Sequence, residues 1–124
     1  MTVARQQTGR IAEELVAARL AARGWRLLER NARTRHGELD IVALDRACLV
    51  FVEVKAGRRG SHYGPERPIL AVGPRKQQRL RRLAAAWMAA NRGRARYREI
   101  RFDVVGVSFA PGEPPEVEHL ANAF

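Results

Sequence analysis

The length, composition and charge of this chain exclude several classes of protein. Its 124 residues suffice for one domain with its own hydrophobic core and fall short of two. The longest apolar run, 83–90, is far shorter than the roughly 18 residues of a membrane span, and the first ten residues lack a signal peptide's apolar stretch. We therefore expect a cytoplasmic protein without a membrane partner. The formal net charge of +10 favours a polyanionic partner, above all nucleic acid.

The first half of the chain predicts one helix followed by strands. The helix is capped by Thr8, and a short strand over 25–29 leads into a basic loop over 31–36. Two apolar stretches, 38–44 and 49–56, then form a β-hairpin. Both stretches are apolar on both faces, which is typical of central strands covered by helices on each side.

The second half predicts a loop, a helix and a strand. Gly-rich residues 57–73 form a long loop, and Pro74 opens a helix with a regularly spaced apolar face. A strand over 101–109 follows, and prolines mark 110–124 as an irregular C-terminal tail. The whole chain, 1–124, is therefore expected to be a single α/β domain with the element order αβββαβ.

The register of the predicted hairpin brings charged residues together. An even turn centred on 46–47 places Asp40 opposite Glu53, and Glu38 opposite Lys55. Opposed side chains lie roughly 4.5 to 5.5 Å apart at Cβ, and like charges there destabilise the sheet. The two carboxylates therefore need a compensating cation.

A divalent metal is the simplest such cation. Mg²⁺ binds oxygen ligands and is often held by one or two carboxylates together with water and substrate phosphate, so Asp40 and Glu53 would be its ligands, with Mn²⁺ as a substitute. Lys55 lies on the same strand face as Glu53 and would orient a water molecule or offset charge on a phosphate. This pattern predicts phosphodiester hydrolysis. In the alternative that stays open, an arginine neutralises the acid pair and Lys55 only lies at the strand end.

The type of basic residue gives a second indication of positions that take part in chemistry. Of the 23 basic residues, all but Lys55 and Lys76 are arginine. A compact ammonium can point at one oxygen or water, which a planar guanidinium cannot do as well. The two lysines therefore suggest positions that take part in chemistry, although chance could also leave two.

These residues resemble a known family. Segments 37–40 and 51–55 look like the D and ExK parts of the PD-(D/E)XK nuclease superfamily, and within it the chain most resembles the bacterial YraN-like proteins, which are similar to Holliday-junction resolvases. Further agreement is found at Gly9, Glu13, Leu20, Gly24, Arg30-Asn31, Tyr63-Gly64, Lys76-Gln77, 101–105 and 122–124. The resemblance implies a three-layer, restriction-endonuclease-like core in which helices flank a mixed central sheet.

The resemblance also implies roles for single residues. Asp40 and Glu53 match the metal-binding acids, Lys55 matches the catalytic lysine, and Glu13 matches an acid of the first helix that completes many sites of the superfamily. The family commonly carries an arginine at the position of Gly57 here. Further residues suited to contacts with nucleic acid are Arg58, Arg59, Tyr63, Lys76 and Gln77.

Three functions compete at this point. The first is a Mg²⁺-dependent endonuclease that acts on structured or branched DNA, and because junction enzymes of the superfamily act as dimers, a homodimer belongs to this expectation. The second is a non-catalytic nucleic-acid-binding module with a nuclease-like fold. The third is an adaptor that docks on another protein through Trp87 or through the apolar tail ending in Phe124.

Overall fold

The computed structural model describes residues 3–59 and 72–124. The helices and strands, in chain order, are α1 (Val3–Ala22), β1 (Arg26–Thr34), β2 (Gly37–Asp45), β3 (Cys48–Arg58), α2 (Pro74–Ala90), β4 (Glu99–Phe109) and β5 (Glu116–Leu120). Within these residues, neither helix is both long enough and apolar enough to cross a membrane.

The strands form one mixed sheet in the order β1-β2-β3-β4-β5. Strands β3 and β4 are parallel and are connected through α2, whereas the other three neighbouring pairs are antiparallel. The element order is αβββαββ. The predicted α/β class with a mixed central sheet is therefore confirmed, with one strand more than expected.

The two helices cover opposite faces of the sheet. Side chains alternate between the faces of β2 and β3, so each strand supplies both hydrophobic cores. The core under α1 contains Ala12, Val16, Leu20, Ile41, Ala43, Val50 and Val52. The core under α2 contains Val42, Leu44, Leu49, Phe51, Leu83 and Trp87. The predicted three-layer arrangement is therefore confirmed.

The hairpin of β2 and β3 has the predicted register only in part. Pairing runs from Asp45 opposite Cys48 to Ile41 opposite Val52, as the even turn requires. The register ends there, so the expected pairings of Asp40 with Glu53 and of Glu38 with Lys55 are wrong as sheet partners. The reason is a side-chain bond, since the Val54 N–H donates to Asp40 Oδ2 over 2.8 Å instead of to the main chain of β2.

Two boundaries in the first half also differ from the prediction. Thr8 is not a cap but lies inside α1, because the residues before it are good helix formers that extend the helix to Val3. The loop predicted over 31–36 is mostly strand, because Ala32 is fully buried and pairs with Leu39. Its two arginines suggested a loop, but Arg33 is an exposed residue of this edge strand and Arg35 is exposed in the turn that follows.

The C-terminal tail is not irregular throughout. After the last proline, residues 116–120 pair with β4 as β5. Val117 packs against the core under α1, which gives this short strand an apolar anchor. The expectation of an irregular 110–124 segment is therefore wrong for its middle part.

The apolar residues of the predicted adaptor surface are not free. Trp87 is buried, with only 3% of its surface exposed, and its indole N–H donates to Glu29 over 3.0 Å. Phe124 stacks on Phe102 with 5.0 Å between ring centroids. These side chains therefore pack within the domain and give no support to docking on a partner.

Candidate functional site

The site is built around Glu53, which lies on β3 just beyond the last residue paired with β2. Glu53 is buried, with 10% of its side chain exposed, and its Oε1 forms ion pairs with two ammonium groups. The Nζ of Lys55 lies 3.3 Å from this oxygen, and the Nζ of Lys76 lies 3.2 Å from it. Both lysines of the chain thus converge on one carboxylate oxygen, which agrees with the view that these two positions take part in chemistry.

Asp40 supplies a second carboxylate to the same site. The pKa of Asp40 is raised to about 7. Burial is the largest cause, and the negative charges of Glu53 and Glu13 also raise it. The hydrogen bond from Val54 and the charge of Lys55 act in the opposite direction. Near neutral pH, without a bound cation, this carboxyl group is therefore partly protonated. The ionised form of Asp40 is therefore disfavoured by its burial and by the neighbouring charge of Glu53.

Glu13 brings a third carboxylate from α1. Its Oε1 is buried and has no hydrogen-bond partner among the described residues. Burial raises the pKa of Glu13, the charges of Glu38 and Glu53 raise it further, and Arg30 opposes them. An acceptor oxygen without a donor is costly in the interior, so Glu13 fits a role in which a cation or water completes its contacts.

The two lysines are not equivalent. Burial lowers the pKa of Lys55, and its hydrogen bond with Lys76 lowers it further. Burial also acts to lower the pKa of Lys76, but its contacts with Lys55 and Glu53 outweigh this and the net shift is upward. Lys55 is therefore the amine that more readily gives up a proton.

The donor set suits a divalent cation that binds oxygen. The charges of Glu53 and Glu13 act on Asp40, and one buried oxygen of Glu13 lacks a partner among the described residues. No group of three or more His, Cys, Asp or Glu side chains within 3–59 and 72–124 forms a ready metal cage. Mg²⁺ commonly keeps several waters and uses only one or two protein carboxylates, and Asp40 and Glu53 are the residues that could bind it.

The residues predicted to contact nucleic acid differ in their exposure and in the contacts that they make. Arg58 is exposed at the end of β3. Arg59 is occupied, since it pairs with Glu113 and Glu116. The side chain of Gln77 donates to the Val72 carbonyl over 3.2 Å and so steadies the start of α2. Lys76 binds Glu53, and Tyr63 lies outside the described residues.

The structure also shows contacts of two arginines that sequence reasoning missed. A Cβ added to Gly37 would lie 2.6 Å from a guanidinium nitrogen of Arg79, so Arg79 of α2 packs against the turn between β1 and β2. Arg30 of β1 is close enough to Glu13 to oppose its raised pKa. The available signal for Arg79 was its place one turn after Arg75 on α2, because residues at i and i+4 share one helix face.

Comparison with known proteins finds a matching family and several similar chains. The sequence profile described as "Uncharacterised protein family UPF0102" matches residues 12–107, which include every acid and lysine of the site. A UPF0102 protein of Anaeromyxobacter dehalogenans is 48% identical over 97% of this chain and 85% of its own length. Relatives from Trichlorobacter lovleyi and Geobacter metallireducens are 46% and 41% identical, covering 96% and 100% of this chain and 91% and 97% of their own.

Proposed function

We propose that this chain, which belongs to the UPF0102 family, is a divalent-metal-dependent endonuclease that hydrolyses phosphodiester bonds in structured or branched DNA. The observation that carries the proposal is the proximity of three carboxylates, the buried Glu53 and the half-buried Asp40 and Glu13, to an amine 3.3 Å from Glu53. Mg²⁺, or Mn²⁺ in its place, would be held by Asp40 and Glu53 and would polarise the phosphate and make a water more acidic.

The residues of the chain have separate tasks in this reaction. The ammonium of Lys55 donates hydrogen bonds to the phosphate or the attacking water, and its lowered pKa suits a group that passes on a proton. Glu13 accepts a hydrogen bond from water at the edge of the site through its free Oε1. The Val54 N–H fixes the Asp40 carboxylate in place, so the acid needs little rearrangement to act.

Nucleic acid is the substrate class that the surrounding charge favours. Several cations lie around the acids, and in the described part of the chain many are exposed. Arg30 opposes the raised pKa of Glu13, Lys76 pairs with Glu53, and Arg58 is exposed farther along β3. Such cations bind phosphates regardless of sequence, and the resemblance to Holliday-junction resolvases supports branched DNA. Two cuts in a junction require two sites, so a homodimer on the DNA is part of the proposal.

The decisive experiment is a cleavage assay on single-stranded, duplex, flap and four-way substrates with Mg²⁺ or Mn²⁺. We expect metal-dependent scission by the unaltered protein, and a loss on the order of 100-fold or more in Asp40→Asn and Lys55→Met, because each removes a group that acts on the reacting phosphate. Nucleic-acid affinity should survive in both variants.

A matched control is available on α1. Glu13→Gln should reduce cleavage, whereas Glu14→Gln, which changes the exposed neighbouring acid, should leave it unchanged. Equal cleavage by Asp40→Asn, Lys55→Met and the unaltered protein would refute the proposal. Light scattering with and without the four-way substrate tests the dimer.

A non-catalytic nucleic-acid-binding module is the second candidate. It is favoured by the observation that Lys55 and Lys76 already pair with Glu53, which would make a metal unnecessary. This candidate predicts salt-sensitive binding to nucleic acid, no scission with either metal, and no heat when metal is titrated into the protein. Saturable metal binding that is abolished in Glu53→Gln would exclude it.

A further inference from the structure

We propose that Lys76 is an exchangeable counter-ion, which neutralises Glu53 until a divalent metal binds there and then turns to a phosphate of the nucleic acid. This inference rests on the proposed function and adds a coupling between metal and substrate. Its basis is the convergence of both lysines on one oxygen of Glu53, where Lys76 lies 3.2 Å away. A metal that binds this carboxylate competes with Lys76 for the same lone pairs.

Of the two lysines, Lys76 is the one free to leave. The Lys55 side chain is 21% exposed and starts from β3 itself, next to Glu53 in the sheet. The Lys76 side chain is 36% exposed and reaches Glu53 from the first turn of α2. Its flexible four-carbon stem ends in a strongly hydrated charge, so it can move its ammonium toward solvent without disturbing the core.

The identity of the residue supports exchange. An arginine could bind a carboxylate through two parallel hydrogen bonds and would block it more firmly. The chain uses arginine for 21 of its 23 basic residues but has lysine here. A single-point contact is weaker and easier to replace, which is what an exchangeable counter-ion requires.

The position at the start of α2 indicates where Lys76 goes. The first turn of this helix carries no acidic residue, and Arg75 precedes Lys76. The free N–H groups at a helix N-terminus favour anions and disfavour cations, so this turn does not itself attract Lys76, which is held by Glu53 and by the nearby charge of Asp40. A phosphate at this end of α2 would give the released ammonium a new partner.

The consequence is positive coupling between two ligands. Metal binding frees a cation for phosphate, and a phosphate that attracts Lys76 in turn frees Glu53 for metal. Because coupling of this kind is reciprocal, nucleic acid should raise the affinity for metal by the same factor by which metal raises the affinity for nucleic acid.

The first test is calorimetric titration of Mn²⁺ into the protein without nucleic acid. Lys76→Met should bind Mn²⁺ roughly three- to tenfold more tightly, because a competing positive charge is gone, and Lys76→Arg should bind it more weakly than the unaltered protein. The control is Arg82→Met, which removes an exposed cation from the same helix and should leave the affinity unchanged. Unchanged or weaker binding by Lys76→Met would overturn the inference.

The second test measures DNA affinity with and without Ca²⁺, which also binds oxygen ligands but polarises them less than Mg²⁺. Ca²⁺ should strengthen DNA binding by the unaltered protein, and Lys76→Met should lose most of this gain while Arg82→Met keeps it. An equal gain in Lys76→Met would contradict the exchange. An unaltered protein that binds no metal at all would instead refute the proposed nuclease, so the two failures are distinguishable.

Discussion

Two buried acids on neighbouring strands are treated differently by this fold. Asp103 of β4 is completely buried and is saturated with donors. Arg101 binds both of its oxygens, at 2.8 and 2.9 Å, His119 Nε2 lies 2.7 Å away, and the Asn122 N–H donates over 2.9 Å. Burial acts to raise the pKa of Asp103, but these contacts outweigh it and lower the pKa.

Glu53 of β3 belongs to a site of the opposite kind. Within residues 3–59 and 72–124, its side-chain donors are two ammonium groups on one oxygen, and the acids near it, Asp40 and Glu13, have raised pKa values. An acid with a full set of donors stabilises the fold, whereas a group of acids with too few donors leaves room for a cation. The difference separates a structural acid from a candidate functional one.

The largest effect is expected at the saturated site. Asp103→Ala should lower the free energy of unfolding by about 3 to 5 kcal/mol, because it leaves a half-buried Arg101 without its partner. Urea denaturation at pH 7 measures this. Asp45→Ala is the control, since Asp45 lies 3.6 Å from the same guanidinium in a more exposed pair and should matter far less. A loss below about 1 kcal/mol in Asp103→Ala would remove the contrast.

The second effect has the opposite sign and concerns Asp40. Its pKa in the folded protein is raised from 3.8 to about 7, so without metal the folded state loses stability as the pH rises through this range. Asp40→Asn should therefore raise the free energy of unfolding at pH 8 by roughly 2 to 4 kcal/mol, the lower figure allowing for screening by solvent.

Urea denaturation in a chelator between pH 4 and pH 8 tests this. The unaltered protein should lose stability across the range, and Asp40→Asn should lose much less. The Asp103 contribution has the reverse pH dependence, since a lowered pKa gives stability that disappears only as the pH falls below about 4. A less stable Asp40→Asn at pH 8 would contradict the view that the ionised Asp40 carboxylate is disfavoured in this site.

The third effect comes from metal. At a concentration ten times the dissociation constant, Mg²⁺ should raise the free energy of unfolding by about 1.4 kcal/mol through mass action, and a chelator should reverse the gain. Thermal unfolding of Asp40→Asn and Glu53→Gln should show no such gain. Asp103→Asn should show the same gain from Mg²⁺, although its stability without metal is lower. Equal stabilisation of all variants would indicate binding elsewhere.

The smallest effect is expected for an exposed pair outside both sites. Arg33 and Glu38 form an ion pair at 3.0 Å, but their side chains are 87% and 50% exposed. Arg33→Ala should change the free energy of unfolding by less than about 0.5 kcal/mol. If Arg33 contacts a phosphate, the same variant should reduce the slope of DNA affinity against salt concentration by about one ion.

The sequence predicts the sheet and the acids better than it predicts the contacts between them. The even turn centred on 46–47 was enough to set the register from Asp45 opposite Cys48 to Ile41 opposite Val52. It could not show that Asp40 would take the Val54 N–H, because side-chain and main-chain acceptors compete and only the folded geometry decides between them.

Local sequence also did not predict one ion pair of the site and the last strand, because both depend on how the elements pack together. The pairing of Lys76 with Glu53 depends on how α2 lies over the sheet, which local sequence does not specify. The strand β5 was missed because nearby prolines suggested an irregular segment, although Val117 and His119 pack inward once β4 is beside them.

The most direct test is anomalous diffraction from crystals of the protein soaked in Mn²⁺. The charge distribution of the site predicts one strong peak touching the carboxylates of Asp40 and Glu53, with Lys76 moved away from Glu53. No peak should be found at Asp103. A Mn²⁺ peak that avoids Asp40 and Glu53, with both lysines still on Glu53, would contradict the metal site and the nuclease proposed from it.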